Sequence, residues 1–301
     1  MATYLGELAA VTTSACYSVS SVLYTFAGRK LTALVINRIR LLLAVLLLVS
    51  VHWAAQGMPF PMNAGLPRWF WLGTSGIVGL ALGDFFLFQA YRCIGPRLTM
   101  LMMSLAPILV TLLAWAFFGE VLGSLSLLGI ALTVGGIAWV ILERTSGMNG
   151  NKVPANHLRG ILFGLGSTVS QAVGFILAKE GLRGGFPAVS ANVIRMTCAM
   201  IALWALTLLQ KQARQTFEQL GTQPRTVPLI LCGAIFGPLL GVSLSLFSLQ
   251  RVDVGVSSTL SSLSPIFLLP ISYIVFKERY SWTAILGTIV ALAGVALLFL
   301  V

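Results

Sequence analysis

Few residues in this sequence have the chemistry to act on a ligand, and one acid stands apart. Asp84 lies in Leu82-Gly83-Asp84-Phe85-Phe86, inside a long apolar run, with no charged residue for seven positions on either side. An ionisable side chain at the centre of a bilayer costs at least about 2.5–3.5 kcal/mol, so one retained there is a candidate for function. Asp84 could take up and release a proton, or hold a cationic group of a substrate. It could equally hydrogen-bond a neighbouring helix or pair with an arginine of another apolar segment. Arg40 and Arg195 come next, at matching places in Asn37-Arg38-Ile39-Arg40 and Asn192-Val193-Ile194-Arg195. Each could pair with an acid or attract an anionic substrate. Their repetition favours a structural role, with the long side chain reaching for the interface. Arg38 has no counterpart.

Uncharged polar residues give a second signal. Ser14, Tyr17, Ser21 and Tyr24 recur at helical spacing on one face, and matching runs occur at Ser167, Thr168, Ser170 and Gln171 and at Ser257, Ser258, Ser261, Ser262 and Ser264. Small hydroxyl residues join helices in membranes, and clustered in matched segments they also suit a shared polar cavity. The candidate substrate contacts are therefore Ser14, Tyr17, Asp84, Phe88, Gln171 and Ser261, with Asp84 also the candidate coupling acid. Pro107 and Pro265 would each break or bend an apolar segment and free carbonyls that can line a path. Glu120 and Glu278 end such segments in Phe-Gly-Glu and Phe-Lys-Glu. A carboxylate there can fix the turn into the next helix by bonding its N-terminal amides. His52 and His157 are isolated, and Cys16, Cys93, Cys198 and Cys232 show no CxxC spacing. Neither a metal site, a disulfide nor a cofactor is expected.

These residues must be positioned by membrane helices. The 301 residues are 57% hydrophobic and 9% charged, with a mean hydropathy of +0.94, whereas soluble domains carry about a quarter charged residues. The net charge of +11 comes from nineteen Lys and Arg spread singly through short connections. That pattern excludes a nucleic-acid face and fits loops that set topology and meet anionic lipid. The start, Met1-Ala-Thr-Tyr-Leu-Gly-Glu, lacks the basic region of a signal peptide, so the first apolar segment is expected to be a permanent span. Spans of about 20 residues are predicted over 5–27, 31–53, 69–90, 97–118, 124–142, 158–178, 187–209, 227–249, 254–276 and 281–301. A polar linker is expected at 144–157, and residues 210–226 form either a solvated loop or an interfacial helix.

The chain also repeats itself. Shifted by 158 positions, Ser104-Leu105-Ala106-Pro107-Ile108 returns as Ser262-Leu263-Ser264-Pro265-Ile266, Glu120 as Glu278, and Gly129…Gly136 as Gly287…Gly294. The glycines mark close helix packing rather than a substrate site. Residues 1–143 and 158–301 are thus read as two copies of five spans each. An odd number of spans forces the copies into opposite orientations, the inverted repeat of many secondary transporters. Connections after odd spans hold twelve Lys and Arg against four after even spans, which by the positive-inside rule places both termini outside.

Pro107, Glu120, Gly129 and Gly136, with their echoes at Pro265, Glu278, Gly287 and Gly294, resemble the tandem EamA domains of the drug/metabolite transporter superfamily. So does Leu-Gly…Ala-Tyr-Arg leading into Gly-Pro-Arg-Leu-Thr. The resemblance covers nearly the whole chain. It implies an all-α fold of ten transmembrane helices in two inverted five-helix repeats, around a cavity lined mainly by spans 1, 3, 4, 6, 8 and 9. It also implies export of amino acids or other metabolites without an ATP-binding domain, and no GxxxxGK[ST] stretch is present. Relatives are often drawn with both termini cytoplasmic, against the charge bias. The expected protein is a multi-pass inner-membrane exporter, not an enzyme. Its expected partners are a small-molecule substrate, protons and the lipid bilayer, with oligomeric state open. Asp84 is outside the family pattern, so its proton role comes from burial alone. An intramembrane enzyme on a lipid-linked substrate would need paired acids, His or Cys at membrane depth. A non-transporting scaffold would lack a cavity.

Overall fold

The computed structural model describes residues 4–103, 105–146, 157–264, 266–267, 270–271 and 282–299, and among these the secondary structure is helical, with no strand. The helices are α1 (Leu5–Gly28), α2 (Ala33–Gln56), α3 (Gly65–Gly76), α4 (Gly83–Met103), α5 (Ala106–Phe118), α6 (Ser124–Ser146), α7 (His157–Gly181), α8 (Ala188–Leu209), α9 (Ala213–Thr222), α10 (Val227–Ala234), α11 (Val242–Leu249), α12 (Val254–Ser261) and α13 (Trp282–Phe299). Among the described residues, five stretches are long and apolar enough to cross a membrane: Ala33–Gln56, Met62–Leu87, Leu158–Gly181, Ala188–Leu209 and Pro224–Leu249. Shorter apolar helices cover Ala106–Phe118, Ser124–Trp139 and Ile285–Leu297. In α1, hydroxyl residues dilute the apolar content, and Thr13, Ser14 and Ser18 are fully buried against neighbouring helices.

Two features depart from the expected spans. The connection expected at Arg92–Arg97 is helical, because α4 continues through Gly95-Pro96 to Met103. In a low-dielectric surround the backbone keeps its hydrogen bonds by staying helical, and membrane helices tolerate Gly and Pro for that reason. The expected connection at Arg251–Asp253 does form, between α11 and α12. The segment after α8 folds into the short helix α9, whose Thr216 is buried and whose Phe217 lies 5.6 Å from the Trp204 ring.

The second departure is a pair of π-helical turns. One joins α3 to α4 at Ile77–Leu82; the other joins α10 to α11 at Ile235–Gly241, 158 positions on. A π turn leaves carbonyls out of the regular ladder and recurs at functional sites. Around Pro238 the loss is made good from outside, where Asn192 Nδ2 donates to the Pro238 carbonyl at 2.8 Å. Helical breaks also match between the halves, at Leu105 before α5 and at Ser262–Leu263 after α12.

Packing joins the halves in reciprocal pairs. The α3–α4 helix lies on α7 while α10–α11 lies on α1, α2 lies on α8, and α6 lies on α13. The seven-residue glycine spacing explains the last contact. A Cβ on Gly136 would stand 2.5 Å from the Ala291 nitrogen, and one on Gly294 would stand 2.6 Å from the Thr133 nitrogen. Only the missing side chains let these backbones touch. His52, isolated in sequence, is buried and bonds the Met58 carbonyl and Ser190 Oγ.

Candidate functional site

Four helices bring the candidate residues together. The π turn at Ile77–Leu82 delivers Asp84 into the first turn of α4, where it is 5% exposed. Arg40, two turns into α2, donates through Nη2 to Asp84 Oδ2, so the acid isolated in its apolar run has a charged partner. The Tyr24 ring of α1 lies 5.7 Å from the Arg40 guanidinium carbon, a cation–π contact. Tyr17, two turns earlier on α1, is in electrostatic range of Arg195, Arg40 and Asp84. Room for both tyrosines comes from α10–α11, because a Cβ on Gly233 or Gly241 would strike the Tyr24 or Tyr17 ring. Arg195 on α8 is 7% exposed, and among the described residues it makes no ion pair or hydrogen bond.

The other candidates divide. Gln171 on α7 is half-buried with its Cγ beside Gly83, next to Asp84, and Ser167 Oγ donates to the Gly83 carbonyl at 2.9 Å. Ser261, at the last turn of α12, is buried with its hydroxyl unpartnered. Ser14 is engaged elsewhere. Its hydroxyl donates to the Leu260 carbonyl, while Ser18 and Ser264 bond the Ser264 and Ser14 carbonyls. That ladder joins α1 to the α12 end, so Ser14 serves as interhelical contact rather than as cavity lining. The Phe88 side chain, Pro265 and Glu278 lie outside the described residues. Pro107 is buried in the first turn of α5, immediately after the break, and the Met102 carbonyl before it is taken by Thr168 Oγ1 at 3.1 Å.

Glu120 bonds a helix N-terminus, though a different one from that expected. Its Oε2 accepts from the Val254 nitrogen at 3.0 Å and so caps α12, in the other half, instead of α6. Non-helical Val121, Leu122 and Gly123 separate Glu120 from α6, whereas the α11–α12 connection comes close enough to be bonded. Lys179 stands 3.8 Å from Glu120 and donates to the Leu249 and Val252 carbonyls, which satisfies the end of α11. Gly6, at the start of α1, packs on Arg251 and Val252. This end of the molecule is therefore tied across the halves, with smaller cavities of about 170 Å³ beside His52, Arg68 and Ser190 and about 200 Å³ beside Trp71, Phe118 and Glu180. Glu120→Ala is expected to lower stability by about 1 kcal/mol through the lost cap, read as a reduced Tm of the purified chain, and Lys179→Met should produce a drop of similar size.

The other end is open. A cavity of about 410 Å³ lies between α2, α4 and α9, lined by Thr32, Arg38, Phe85, Gln89, Gln215 and Gln219 among others. Arg38 donates to Gln212 Oε1 at 2.6 Å and Thr216 Oγ1 at 2.8 Å, which holds α9 on the rim. Because the 24 residues of α1 extend about 36 Å, Gly6 and Thr32 mark opposite ends. Among the described residues no group of three His, Cys, Asp or Glu is placed to hold a metal.

A buried charge cluster thus lies between two reciprocally packed halves. The family model of EamA-like transporters matches residues 4–142 and, a second time, residues 158–300. The chain belongs to the EamA-like transporter family. Among relatives, an uncharacterized transporter of Synechocystis sp. is 26% identical over 254 residues, covering 79% of this chain and 74% of its own. A chloroplastic WAT1-related protein of Arabidopsis thaliana is 24% identical, covering 86% of this chain and 60% of that protein. Protein LicB of Haemophilus influenzae is 30% identical over 145 residues, 47% of each chain. One solved crystal structure superposes on 98% of this chain and 96% of its own, with a TM-score of 0.78 at 16% identity, a likeness of fold alone. The protein is a multi-pass membrane transporter of the drug/metabolite type, with a small-molecule substrate and a lipid environment.

Proposed function

We propose that the chain is a secondary transporter that exports a small metabolite, such as an amino acid, across an inner membrane by alternating access. Residues 1–143 and 158–301 act as two inverted five-span repeats, giving ten transmembrane helices, and 144–157 links them. The observation that carries the reading is the asymmetry of the two ends around one buried cluster. The larger cavity, 410 Å³, lies at the α9 end, while at the other end, where the cavities are about 170 and 200 Å³, Glu120 and Lys179 link the halves. Matched π turns and matched helix breaks at an offset of 158 residues support rocking of one repeat against the other.

Asp84 is the coupling acid in this account. Protonation would release Arg40, and the loss of that pair between α2 and α4 would favour the alternative packing. Tyr17, Gln171 and Ser261 complete the substrate path, with Phe88 as a further candidate. No second acid pairs with Asp84 among the described residues, which favours a carrier over intramembrane hydrolysis.

Substrate-dependent proton flux in proteoliposomes tests the reading, with amino acids and related metabolites screened on wild type. The comparison is the double variant Arg40→Gln/Asp84→Asn, which removes the acid without stranding the arginine. Flux in wild type that is lost in the double variant, with substrate exchange preserved, is the expected result. Proton flux of equal size in the double variant would remove Asp84 from coupling. Absence of transport for every compound would count against the transporter mechanism itself.

A further inference from the structure

The two halves treat the same arginine differently. Arg40 and Arg195 occupy matching places in the second and seventh spans, and Asp84 and Val242 occupy matching places in the third and eighth. In the first half the acid is present and neutralises Arg40. In the second half the acid's place is taken by Val242, which is packed into the apolar core. Arg195 is left 93% buried by the complement of its 7% exposure, with its Nε sealed and unpartnered. Two guanidiniums and one carboxylate leave the cluster one positive charge in excess.

A buried, uncompensated guanidinium is a large standing cost, because the interior does not replace the water it has lost. An arginine kept only for packing or interfacial anchoring would send its head group to the interface. Arg195 does not. Its backbone is pinned, because Gly76 of α3 lies directly on the Arg195 carbonyl. Its Nη2 lies at the π turn beside Gly79, which has no side chain to cover it and where an added Cβ would stand 3.7 Å away. On α1, the Tyr17 ring carries the hydroxyl in electrostatic range of Arg195. The neighbouring Asn192 does not serve it either: its Nδ2 donates to the Pro238 carbonyl and Ser243 Oγ, and its Oδ1 is buried without a hydrogen-bond partner. What remains around Arg195 is a planar fork of donors with no anion among the described residues to receive them.

We propose that Arg195, assisted by the Tyr17 hydroxyl, is the receptor for a negatively charged group of the transported molecule, and that the substrate class is a small organic anion or zwitterion bearing a carboxylate or phosphate. This deepens the transporter reading and rests on it for the word substrate. The bound anion supplies the charge that Val242 does not. Occupancy therefore makes the two halves electrostatically alike, Arg40 with Asp84 and Arg195 with the ligand.

The test is thermal unfolding of the full-length chain in detergent with four soluble probes: succinate, inorganic phosphate, succinamide and choline. Wild type is expected to be stabilised by succinate or phosphate and not by succinamide or choline. In Arg195→Gln the half-saturating concentration of the active anion should rise roughly tenfold or more, the scale of one charge-assisted hydrogen bond, and Arg195→Lys should recover part of it. A second variant keeps the question open if Arg195→Gln folds poorly. Val242→Asp supplies the missing acid internally, so it should raise the ligand-free Tm and abolish the anion effect. Stabilisation by neither anion would overturn the proposal, as would anion stabilisation that persists in both Arg195→Gln and Val242→Asp. Stabilisation by phosphatidylglycerol micelles alone would also overturn it, because the anion would then be lipid. Transport in proteoliposomes without any anion effect defeats this inference and leaves the carrier intact. Anion binding through Arg195 with no compound transported in the proteoliposome screen leaves the site standing and counts against the alternating-access reading.

Discussion

Asp84→Asn alone is expected to destabilise the protein by about 3–5 kcal/mol, the cost of removing one partner of a buried ion pair. The loss comes from what is left behind. Arg40 would keep its charge in a site where it has the Tyr24 ring but no carboxylate. Arg40→Gln should cost a similar amount by stranding Asp84. The double variant Arg40→Gln/Asp84→Asn leaves no buried charge at this position and should recover most of the loss, giving a coupling energy in a double-mutant cycle. Unfolding in detergent, read for the four proteins together, gives that energy directly. Additive losses would mean that the pair does not hold in solution. Arg195→Gln serves as the contrast: it removes a charge that has no ion pair among the described residues, so no comparable loss follows.

Gly76→Leu is expected to have an effect of the same order, for a steric reason. A Cβ at this position would fall on the carbonyl of Arg195, with the Arg195 Cα only 2.9 Å away. Overpacking commonly costs about 1–3 kcal/mol and more when the obstacle cannot move. Here the obstacle is helix backbone. Moving it displaces α8, and with it Asn192 and Arg195. Gly76→Leu should therefore fail to accumulate in the membrane or unfold at a much lower temperature, and Gly76→Ala should already be measurably weaker. Gly135→Ala is the control, since a Cβ at Gly135 meets nothing within 4 Å. Equal tolerance of Gly76→Ala and Gly135→Ala would contradict the close approach of α3 and α8.

Much of this arrangement is legible in the chain itself. The duplicated glycines Gly129, Gly136, Gly287 and Gly294 foretell a backbone contact, and α6 packs on α13 there. The isolation of Asp84 marks it before any partner is known. Which arginine would meet it was not legible, because Arg38, Arg40 and Arg195 all stand in apolar helices and only the packing of α2 against α4 selects Arg40. Ser14 misled for a related reason. A hydroxyl facing a cavity and one facing a neighbour's carbonyl share the same spacing, and the Leu260 carbonyl decides. The π turns were hidden as well, since their extra residue shifts no hydropathy pattern. Pro238 in mid-span, flanked by Gly233, Gly237 and Gly241, was the available sign. The capping of α12 by Glu120 depends on a contact 134 residues away in sequence, beyond any local rule.

The protein has its larger cavity at the α9 end and its cross-half links at the Glu120 end. The most direct test of alternating access is the reciprocal exposure of those ends. In a chain with Cys16, Cys93, Cys198 and Cys232 replaced by Ala, a single cysteine is placed at Gln89, in the cavity wall, or at Val252, in the tied connection. Reaction with a membrane-impermeant maleimide is then measured in proteoliposomes, with and without a compound shown to be transported. The account predicts that the transported compound slows labelling at one position and speeds it at the other. Labelling of both positions together, at rates that the compound leaves unchanged, would contradict it.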